Sequence, residues 1–399
     1  MRATVLKATH EQTKAHNKQL ILKTIYDHSQ SSRADVARWT GLTRPTVSST
    51  VAELIEEGLV EEVGQGQSDG GKPPILLRVV DGACHLIGLD LANSEFRGAV
   101  TDLRGKIIHR VSLPVQERDG AAALDLVYAL CDQLLAAATS PLLGIGIGTP
   151  GLIDAQQGIV RKAVNLDWND LPLRDLVATR YHAPVYVAND SHVAALAEYI
   201  FGQQRKTPNL VVVKVGRGVG AGIVLQGRLY HGDGSGAGEI GHVRVVEQGV
   251  RCRCGHVGCL ETVTSSQAIV KQARQLAQVN PQSLLWQFTP TLETITTTTA
   301  LDAFLAGDPA MQEVIAEVGR YLGVAVANLV GVLNIQKIVI AGSVARFGQP
   351  LQNAITQEMR KRAMAILADE TTVALSTLAQ DIVILGAAAL LLTHELKLT

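Results

Sequence analysis

Three short segments lie between residues 238 and 261: Gly238-Glu239-Ile240-Gly241-His242, Cys252-Arg253-Cys254 and Gly258-Cys259-Leu260-Glu261. Nine residues separate the histidine from the first cysteine, one residue separates the first two cysteines, and four residues precede the third. Three thiolates and one imidazole suit Zn²⁺, which takes four protein ligands in a tetrahedral structural site. The spacing predicts a zinc loop with the ligands His242, Cys252, Cys254 and Cys259.

Buried free cysteines or a disulfide are the other interpretations of this loop. A disulfide between Cys252 and Cys254 would close a very strained ring, and a total of five cysteines argues against a disulfide framework. His256 is a rival ligand, but Glu239 and His242 form an i, i+3 pair that would share one face of a helical turn. A loop folded around zinc would also hold the carboxylates on either side of it in place.

Length and composition predict a globular protein of two or three domains. At 399 residues the chain is too long for one ordinary core, and its 47% hydrophobic and 18% charged residues describe a well-packed protein. No run of apolar residues is long enough to predict a membrane span, and residues 1–19 lack the apolar core of a secretory signal. Five cysteines, three of them clustered, favour a reducing compartment. We therefore expect a cytoplasmic protein without a membrane partner.

Residues 1–80 predict a winged helix-turn-helix domain. The first 50 residues hold eight Lys/Arg against three Asp/Glu, although the net charge of the whole chain is −1. Periodicity, capping residues and glycine stops predict three helices, over residues 17–28, 32–41 and 43–58. Residues 59–63 and 74–77 can pair as a hairpin around a glycine-rich wing. In a helix-turn-helix unit the second helix of the pair enters the major groove of DNA.

The start of the third predicted helix carries the side chains that we expect to read base edges: Arg44, Thr46, Ser48 and Ser49. Lys72, at the end of the wing, could reach phosphates or the minor groove. The alternative is a three-helix interaction domain whose surface charges are merely solvated. The short turn, the polar helix start and the basic loop agree with one another, so we expect operator DNA as a partner.

Residues 81–399 predict two α/β lobes with a cleft between them. Three strands followed by alternating helices and strands occur twice along this part of the chain. We assign residues 81–190 and the C-terminal helix to one lobe, and residues 191–380 to the other. Ligands of such folds bind in the cleft, on loops at the ends of strands.

Several motifs of this region resemble the ROK family, which joins sugar kinases and sugar-responsive repressors on the actin-like sugar-kinase fold. The matching motifs are Gly144-Ile145-Gly146-Ile147-Gly148-Thr149-Pro150-Gly151, Asn189-Asp190, the loop 216–222, the zinc segment 239–261, Ile340-Ala341-Gly342-Ser343 and Leu385-Gly386-Ala387-Ala388. The zinc segment is the most specific of them. The resemblance implies an α/β fold in which a winged helix-turn-helix precedes a two-lobed sugar-kinase fold with a structural zinc loop.

The resemblance also implies a sugar site. In kinases of the family, the residue matching Asp190 takes the proton of a sugar hydroxyl, and the residue matching Asn189 binds a neighbouring hydroxyl. From the residues alone, a helix N-cap is the favoured interpretation of these two side chains. The implied sugar-binding set is Gly151, Asn189, Asp190, Glu239, His242 and Glu261. His242 would bind zinc through one ring nitrogen and contact the sugar with the other.

The expected nucleotide loops depart from those of the family's kinases. Where the kinases have Asp-x-Gly-Gly-Thr-Lys, this chain reads Asp-Leu-Ala-Asn-Ser-Glu from Asp90. Ala92 and Asn93 replace glycines that let the backbone approach phosphate, and Glu95 puts an anion in place of a cation. Arg217 also stands where the kinases have threonine. We therefore predict no catalytic residues: a sugar site without phosphoryl transfer.

Together these inferences predict a sugar-responsive transcriptional regulator, with zinc as its cofactor. The expected form is a repressor that a small sugar releases from a palindromic operator, bound as a homodimer or homotetramer. An active ATP-dependent sugar kinase with an attached DNA-binding domain is the first alternative. A repressor controlled by a protein partner, with a vestigial sugar site, is the second.

Overall fold

A computed structural model of the protein describes residues 9–67, 73–92, 94–203 and 207–398. Its helices are α1 (His10–Asp27), α2 (Arg33–Thr40), α3 (Arg44–Glu56), α4 (Gly120–Ala137), α5 (Leu173–Tyr181), α6 (Asp190–Phe201), α7 (Glu261–Thr264), α8 (Ser266–Val279), α9 (Thr297–Leu305), α10 (Pro309–Leu333), α11 (Gly348–Arg362), α12 (Ala365–Glu370) and α13 (Ile382–His394). Its strands are β1 (Ser31–Ser32), β2 (Val60–Gln65), β3 (Ile75–Val79), β4 (His85–Leu91), β5 (Glu95–Thr101), β6 (Ile107–Pro114), β7 (Leu142–Thr149), β8 (Leu152–Asp154), β9 (Ile159–Ala163), β10 (Trp168–Leu171), β11 (Val185–Asn189), β12 (Leu210–Val215), β13 (Val219–Leu225), β14 (Arg228–Tyr230), β15 (Lys337–Ala341) and β16 (Thr372–Leu375).

The N-terminal domain consists of α1, α2, α3 and a three-stranded sheet of order β1-β3-β2. The three predicted helices and the predicted hairpin are confirmed, but α1 begins at His10 because Thr9 and Gln12 form a capping box. A second capping box, between Ser32 and Asp35, opens α2, and Gly41 ends it in the left-handed conformation with φ of 70°. Side-chain caps therefore determine where α1 and α2 begin, and a glycine determines where α2 ends.

The first lobe is built on a sheet of order β11-β7-β4-β5-β6. Strands β4, β5 and β6 form an antiparallel meander, while β7 and β11 run parallel to β4. A small sheet of order β10-β9-β8 and helix α5 were not predicted. Its strands have only three to five residues, and Asp167 and Asp170 adopt positive φ of 50° and 48°. Such short, interrupted strands leave no readable alternation in the sequence.

The second lobe repeats this plan with a sheet of order β14-β13-β12-β15-β16. Strands β12, β13 and β14 form the meander, and β15 and β16 run parallel to β12. The long helix α10 and the helix α11 pack on this sheet in one hydrophobic cluster. The predicted duplication of the α/β plan is confirmed, although α8, α9 and β16 were missing from the prediction.

Helix α6 lies between the two lobes, and its backbone is in direct contact with glycines of both. A Cβ atom on Gly386 of α13 would lie 1.8 Å from the carbonyl oxygen of Val193, and one on Gly222 of β13 would lie 2.3 Å from that of Ser191. Real Cβ atoms do not approach backbone so closely, so glycine is required at both positions. The first turn of α6 is thus held between a helix of the first lobe and a strand of the second.

The N-terminal domain is docked on the first lobe by polar and aromatic contacts around Tyr26. The Tyr26 hydroxyl donates to the carbonyl oxygen of Leu103 at 2.8 Å, in a buried position. Arg104 donates to the carbonyl oxygen of Tyr26 at 2.7 Å, and its guanidinium lies 4.1 Å from the centre of the tyrosine ring. Arg104 also pairs with Asp81 at 3.0 Å. The turn between β5 and β6 therefore fixes the end of α1.

Two helices of the described residues, α4 and α10, are long and apolar enough to cross a membrane by length and composition. Both contribute buried residues to hydrophobic clusters inside the fold: Leu130 and Leu134 of α4, and Leu322 and Val326 of α10. The core helices of globular proteins have this composition too.

Candidate functional site

The predicted metal ligands converge. One ligand atom each from His242, Cys252, Cys254 and Cys259 forms a group in which all atoms lie within 4.8 Å of one another. The Sγ atoms of Cys254 and Cys259 are 3.6 Å apart, and Nδ1 of His242 is 3.6 Å from Sγ of Cys252. Separations of this size suit four ligands around one tetrahedral ion with Zn–S bonds of about 2.3 Å. The cluster could hold a metal ion.

Short backbone contacts bring these ligands together. The N–H of Cys252 donates to the carbonyl oxygen of His256 at 2.7 Å, which closes the turn that contains Cys254. Gly258 has φ of 77°, and a Cβ there would lie 1.8 Å from the carbonyl oxygen of Val246. The ring of His256 is 3.6 Å from Sγ of Cys254, but His256 is not a member of the four-residue group found among the described residues.

The loop favours a thiolate at its exposed cysteine. Hydrogen bonds from the backbone and then the ring of His256 lower the pKa of Cys254 to about 6. Cys252 and Cys259 are buried, and burial raises the pKa of both thiols. A bound cation would offset that cost, because metal coordination stabilises the thiolate form.

His242 connects the metal cluster with the cleft. It ends a short 3-10 helix, Ile240–His242, so the predicted helical turn is present. Its Nδ1 atom faces Cys252, while Nε2 lies 3.7 Å from Oε2 of Glu239. The two ring nitrogens therefore face different partners, as a metal-bound histidine oriented by a carboxylate does.

Three carboxylates, those of Asp190, Glu239 and Glu261, are close enough to interact electrostatically beside this histidine. Glu239 keeps 47% of its side-chain surface exposed. Partial burial raises the pKa of Glu239; His242 opposes that shift, and the neighbouring Asp190 and Glu261 carboxylates add to it. Glu261 is fixed by the backbone N–H of Val219, which donates to Oε2 at 3.0 Å. Carboxylate oxygens of this kind can accept hydrogen bonds from hydroxyl groups, such as those of a polyol.

Asn189 has the helix-capping role that the sequence left open, together with a second contact. Its Oδ1 atom accepts from the N–H of Ser191 at 2.8 Å and from that of His192 at 3.4 Å. Its Nδ2 group donates to the carbonyl oxygen of Gly151 at 2.9 Å. The N-cap interaction thus ties the start of α6 to the loop after β7, and brings Gly151 beside Asp190.

A lysine that the sequence motifs did not predict also belongs to this site. Nζ of Lys214, in β12, lies 2.7 Å from Oδ2 of Asp190. Asp90, only 3% exposed, pairs with Arg97, which stands directly opposite it in the β4–β5 ladder. Burial alone would lower the pKa of Lys214. The nearby carboxylates of Asp190 and Asp90 have a larger combined effect, so the pKa of Lys214 is raised above its ordinary value. A single cation in the otherwise apolar run Leu-Val-Val-Val-Lys-Val was the signal available.

The glycine-rich loop 216–222 divides into two parts. A Cβ on Gly220 would lie 2.5 Å from Oγ of Ser191, and Gly222 is equally close to α6, so these glycines serve helix packing. A Cβ on Gly216 would have open space, because its nearest neighbour, Oγ of Ser343, would lie 3.8 Å away. Gly220 and Gly222 are therefore needed for the packing of α6, whether or not an anion binds to this loop.

The predicted DNA-reading side chains lie at the start of α3. Arg44, Ser48 and Ser49 are exposed, and Thr46 is half-buried because it bonds to the N-cap residue Thr43. Lys72 and Asn93 lie outside the described residues. The three exposed side chains are on one stretch of helix and open to a ligand of the N-terminal domain.

Comparisons with known proteins agree with this geometry. The model of the ROK family matches residues 86–394, and a winged helix-turn-helix DNA-binding model matches residues 15–61. The chain is 32% identical to a xylose repressor of Caldicellulosiruptor bescii, over 97% of this chain and 98% of that protein. A ROK family transcriptional regulator, a homologue of the E. coli MLC protein, superimposes with a TM-score of 0.82 at 30% identity, over 95% and 96% of the two chains. A ROK family glucokinase from Streptomyces griseus, solved with glucose and AMPPNP, gives a TM-score of 0.70 at 27% identity, over 77% of this chain and 98% of that one.

Proposed function

This chain belongs to the ROK family, and we propose that it is a sugar-responsive transcriptional repressor that a bound sugar releases from its operator. A winged helix and a sugar-kinase-like fold in one chain match a xylose repressor over nearly its whole length. We place the winged helix at residues 1–80 and the sugar-binding domain at residues 81–399. The name of that relative makes D-xylose the first sugar to test.

The observation that carries the proposal is the position of α6. Its first residue, Asp190, faces the carboxylates of the candidate sugar site, and Asn189 caps it. Its last residue, Phe201, contacts the turn that docks the N-terminal domain, since a Cβ on Gly105 would lie 2.9 Å from the Phe201 ring. Tyr199 lies close to Asp27 of α1. Burial is the larger cause that raises the pKa of the Tyr199 phenol, and the Asp27 carboxylate raises it further. One helix thus joins the candidate sugar site to the docking contact of the N-terminal domain.

We propose a population shift as the mechanism. Sugar bound by Asp190, Glu239 and Glu261 would favour one arrangement of the lobes, and α6 would carry the change to the docking turn around Tyr26. In a homodimer or homotetramer, the spacing of the paired winged helices on a palindromic operator would then change. Such a regulator acts in the cytoplasm, and nothing in its proposed cycle needs a membrane.

Zinc is the metal that we propose for the His/Cys cluster, because three thiolates and one imidazole match its preferences. The ligands would be His242, Cys252, Cys254 and Cys259, and the ion would fix the orientation of the His242 ring toward Glu239. It would have a structural role, with all four positions taken by protein.

Kinase activity is the alternative, and the similarity to a glucokinase fold favours it. Asp190 would then be the general base. Against this, Oδ2 of Asp190 is paired with Lys214, and Glu95 adds a negative charge near the end of β4. We therefore propose that the protein is not an enzyme. Control by a protein partner is the remaining alternative.

The test is a titration of the purified protein on its own promoter DNA with D-xylose, D-glucose, N-acetyl-D-glucosamine and a disaccharide. ATP turnover is followed in the same samples. Release of DNA by one sugar without ATP consumption is the expected result. Sugar-dependent ATP hydrolysis would favour the kinase, and DNA binding that no sugar changes would favour control by a protein.

A further inference from the structure

We infer that Lys214 is a specificity-determining residue that makes the cleft a sugar-only site, an inference that rests on the proposed function. Its ammonium binds Asp190 at 2.7 Å from the second lobe, on the strand that leads into the glycine-rich loop 216–222. Both side chains are largely buried, with 18% and 16% of their side-chain surfaces exposed. The pair is therefore a fixed part of the site rather than a solvated surface contact.

The position of Lys214 bears on how a phosphoryl group could reach Asp190. A general base must lie about 3 Å from the hydroxyl that it deprotonates, and a phosphoryl group must lie about 3–3.5 Å beyond that hydroxyl. Lys214 lies on β12, two residues before the loop 216–222 that would hold a phosphoryl donor, and its ammonium already contacts Asp190. One carboxylate oxygen of Asp190, Oδ2, already accepts a charge-assisted hydrogen bond from Lys214. The other, Oδ1, accepts only a long hydrogen bond of 3.3 Å from the Ser191 hydroxyl, and it keeps acceptor capacity for a sugar hydroxyl.

The charges around Asp190 are also paired within the protein. Asp90 and Asp190 are close enough to interact electrostatically, and two neighbouring carboxylates of a phosphoryl-transfer site need cations such as Mg²⁺. Here Arg97 pairs with Asp90, and Lys214 pairs with Asp190. Burial raises the pKa of Asp90, and both cations oppose that shift. Two protein cations therefore balance these two carboxylates without a metal or a nucleotide.

The ligand class follows from this balance. A neutral sugar can donate a hydroxyl to the second oxygen of Asp190 and accept from a remaining N–H of Lys214, because an ammonium has three donors. Lys214 would therefore orient the carboxylate and bind the same part of the sugar. The affinity for a neutral sugar should then be independent of MgATP, since the ammonium already occupies the cation position.

The test measures sugar affinity by calorimetry with D-xylose, D-glucose and N-acetyl-D-glucosamine, with and without millimolar MgATP. Lys214→Met is expected to weaken the best sugar about tenfold or more, since a charged hydrogen-bond partner is lost. In an Asp190→Asn background, the same change is expected to cost less than about twofold, because the two residues act as a pair. Lys337→Met, on the neighbouring strand β15 and 3.5 Å from Thr372, is the matched control and should change nothing.

The inference is wrong if the Lys214→Met protein binds sugar within twofold of the wild type. It is also wrong if Lys214→Met weakens sugar binding by the same factor in the wild type and in Asp190→Asn. Enhancement of wild-type sugar affinity by MgATP would also overturn it. If Lys214→Met alone does not fold, the comparison of Asp190→Asn with the charge-neutral double variant still measures the second prediction. Failure of the wild type to bind any of the sugars would reject the proposed function and this inference together, whereas the other adverse outcomes reject the inference alone.

Discussion

The two ends of α6 differ in chemistry although one helix of 12 residues joins them. At the first end, Asp190 is paired with Lys214, and Asn189 caps the helix with its side chain. At the other end, Phe201 and Tyr199 are aromatic, and they face the turn and helix that hold the N-terminal domain. The first end is suited to bind a polar ligand, and the second is suited to transmit a displacement through packing.

This difference predicts that binding and coupling can be separated by mutation. Changes at the charged end should alter sugar affinity and leave DNA affinity intact. Changes at the aromatic end should leave both affinities nearly intact and alter only the factor by which sugar changes DNA binding, which is a coupling free energy.

The largest expected effect follows removal of a metal ligand beside the charged end. Cys259 is fully buried, so Cys259→Ser should abolish stoichiometric zinc and weaken sugar binding by about a hundredfold, because the loop that presents Glu239 loses its support. Metal analysis and calorimetry on the same preparation measure both. Cys84→Ser, at another buried cysteine, should retain zinc. Full sugar affinity in metal-free Cys259→Ser would contradict the prediction.

At the aromatic end, Phe201→Ala should reduce the coupling factor about tenfold while sugar and DNA affinities stay within about threefold, because the contact with the β5–β6 turn is lost. The coupling factor is the ratio of DNA affinities without and with saturating sugar. Phe288→Ala, at an exposed phenylalanine of the second lobe, is the control. An unchanged factor in Phe201→Ala would show that the signal takes another route.

A substitution of Arg44 tests whether DNA binding is independent of the sugar-binding and coupling contacts at the two ends of α6. Arg44→Ala should weaken DNA binding about tenfold through loss of a base or phosphate contact and leave the coupling factor unchanged. Anisotropy titrations with labelled promoter DNA measure both quantities. Arg78→Ala, where the arginine is paired with Glu61, provides the comparison. Equal losses in the two variants would indicate a general charge effect.

Tyr26→Phe removes one hydroxyl from the docking contact with Leu103. Loss of this buried hydrogen bond should cost about 1 kcal/mol, or roughly fivefold in the coupling factor. Tyr230→Phe, at a tyrosine with 48% of its surface exposed, should have no effect. If Tyr26→Phe changes DNA affinity but leaves the coupling factor as it was, the contact positions the domain without transmitting the sugar signal.

The smallest effect concerns Glu198, in the middle of α6. It is 2% exposed and accepts a hydrogen bond from Ser376 of the second lobe, and burial raises its pKa. The native state therefore holds a proton that the unfolded state releases, so the free energy of unfolding should fall as pH rises above the ordinary glutamate pKa. Glu198→Gln should flatten that slope in thermal melts across pH 4–8. An identical slope in the variant would assign the pH dependence to other groups.

The sequence was most informative where local chemistry decides the structure. The capping box at Ser32, the glycine stop at Gly41 and the zinc-ligand spacing were each visible as short patterns, and the helices and the cluster lie where those patterns predict. The α/β duplication followed from periodicity in the same way. Patterns of this kind depend on neighbours in the chain, which a sequence displays directly.

The sequence was least informative where distant segments meet. Lys214 and Asp190 are 24 positions apart, and the contact between Tyr26 and Leu103 spans 77 positions. No spacing rule connects such residues, because the approach depends on how sheets and helices pack. The small sheet β8–β10 was missed for a different reason, since strands of three to five residues carry too little alternation to recognise.

The glycines that hold the first turn of α6 make that turn a fulcrum. Gly386 and Gly222 bring backbone of both lobes against Val193 and Ser191, so a relative rotation of the lobes must pivot near Asp190. Twelve residues at about 1.5 Å each give a lever arm of roughly 18 Å. A rotation of about 5° at the pivot would move Phe201 by about 1.5 Å, the size of helix shift that separates functional states at protein interfaces. A modest tilt at the sugar would thus become a displacement large enough to matter at the base of the winged helix.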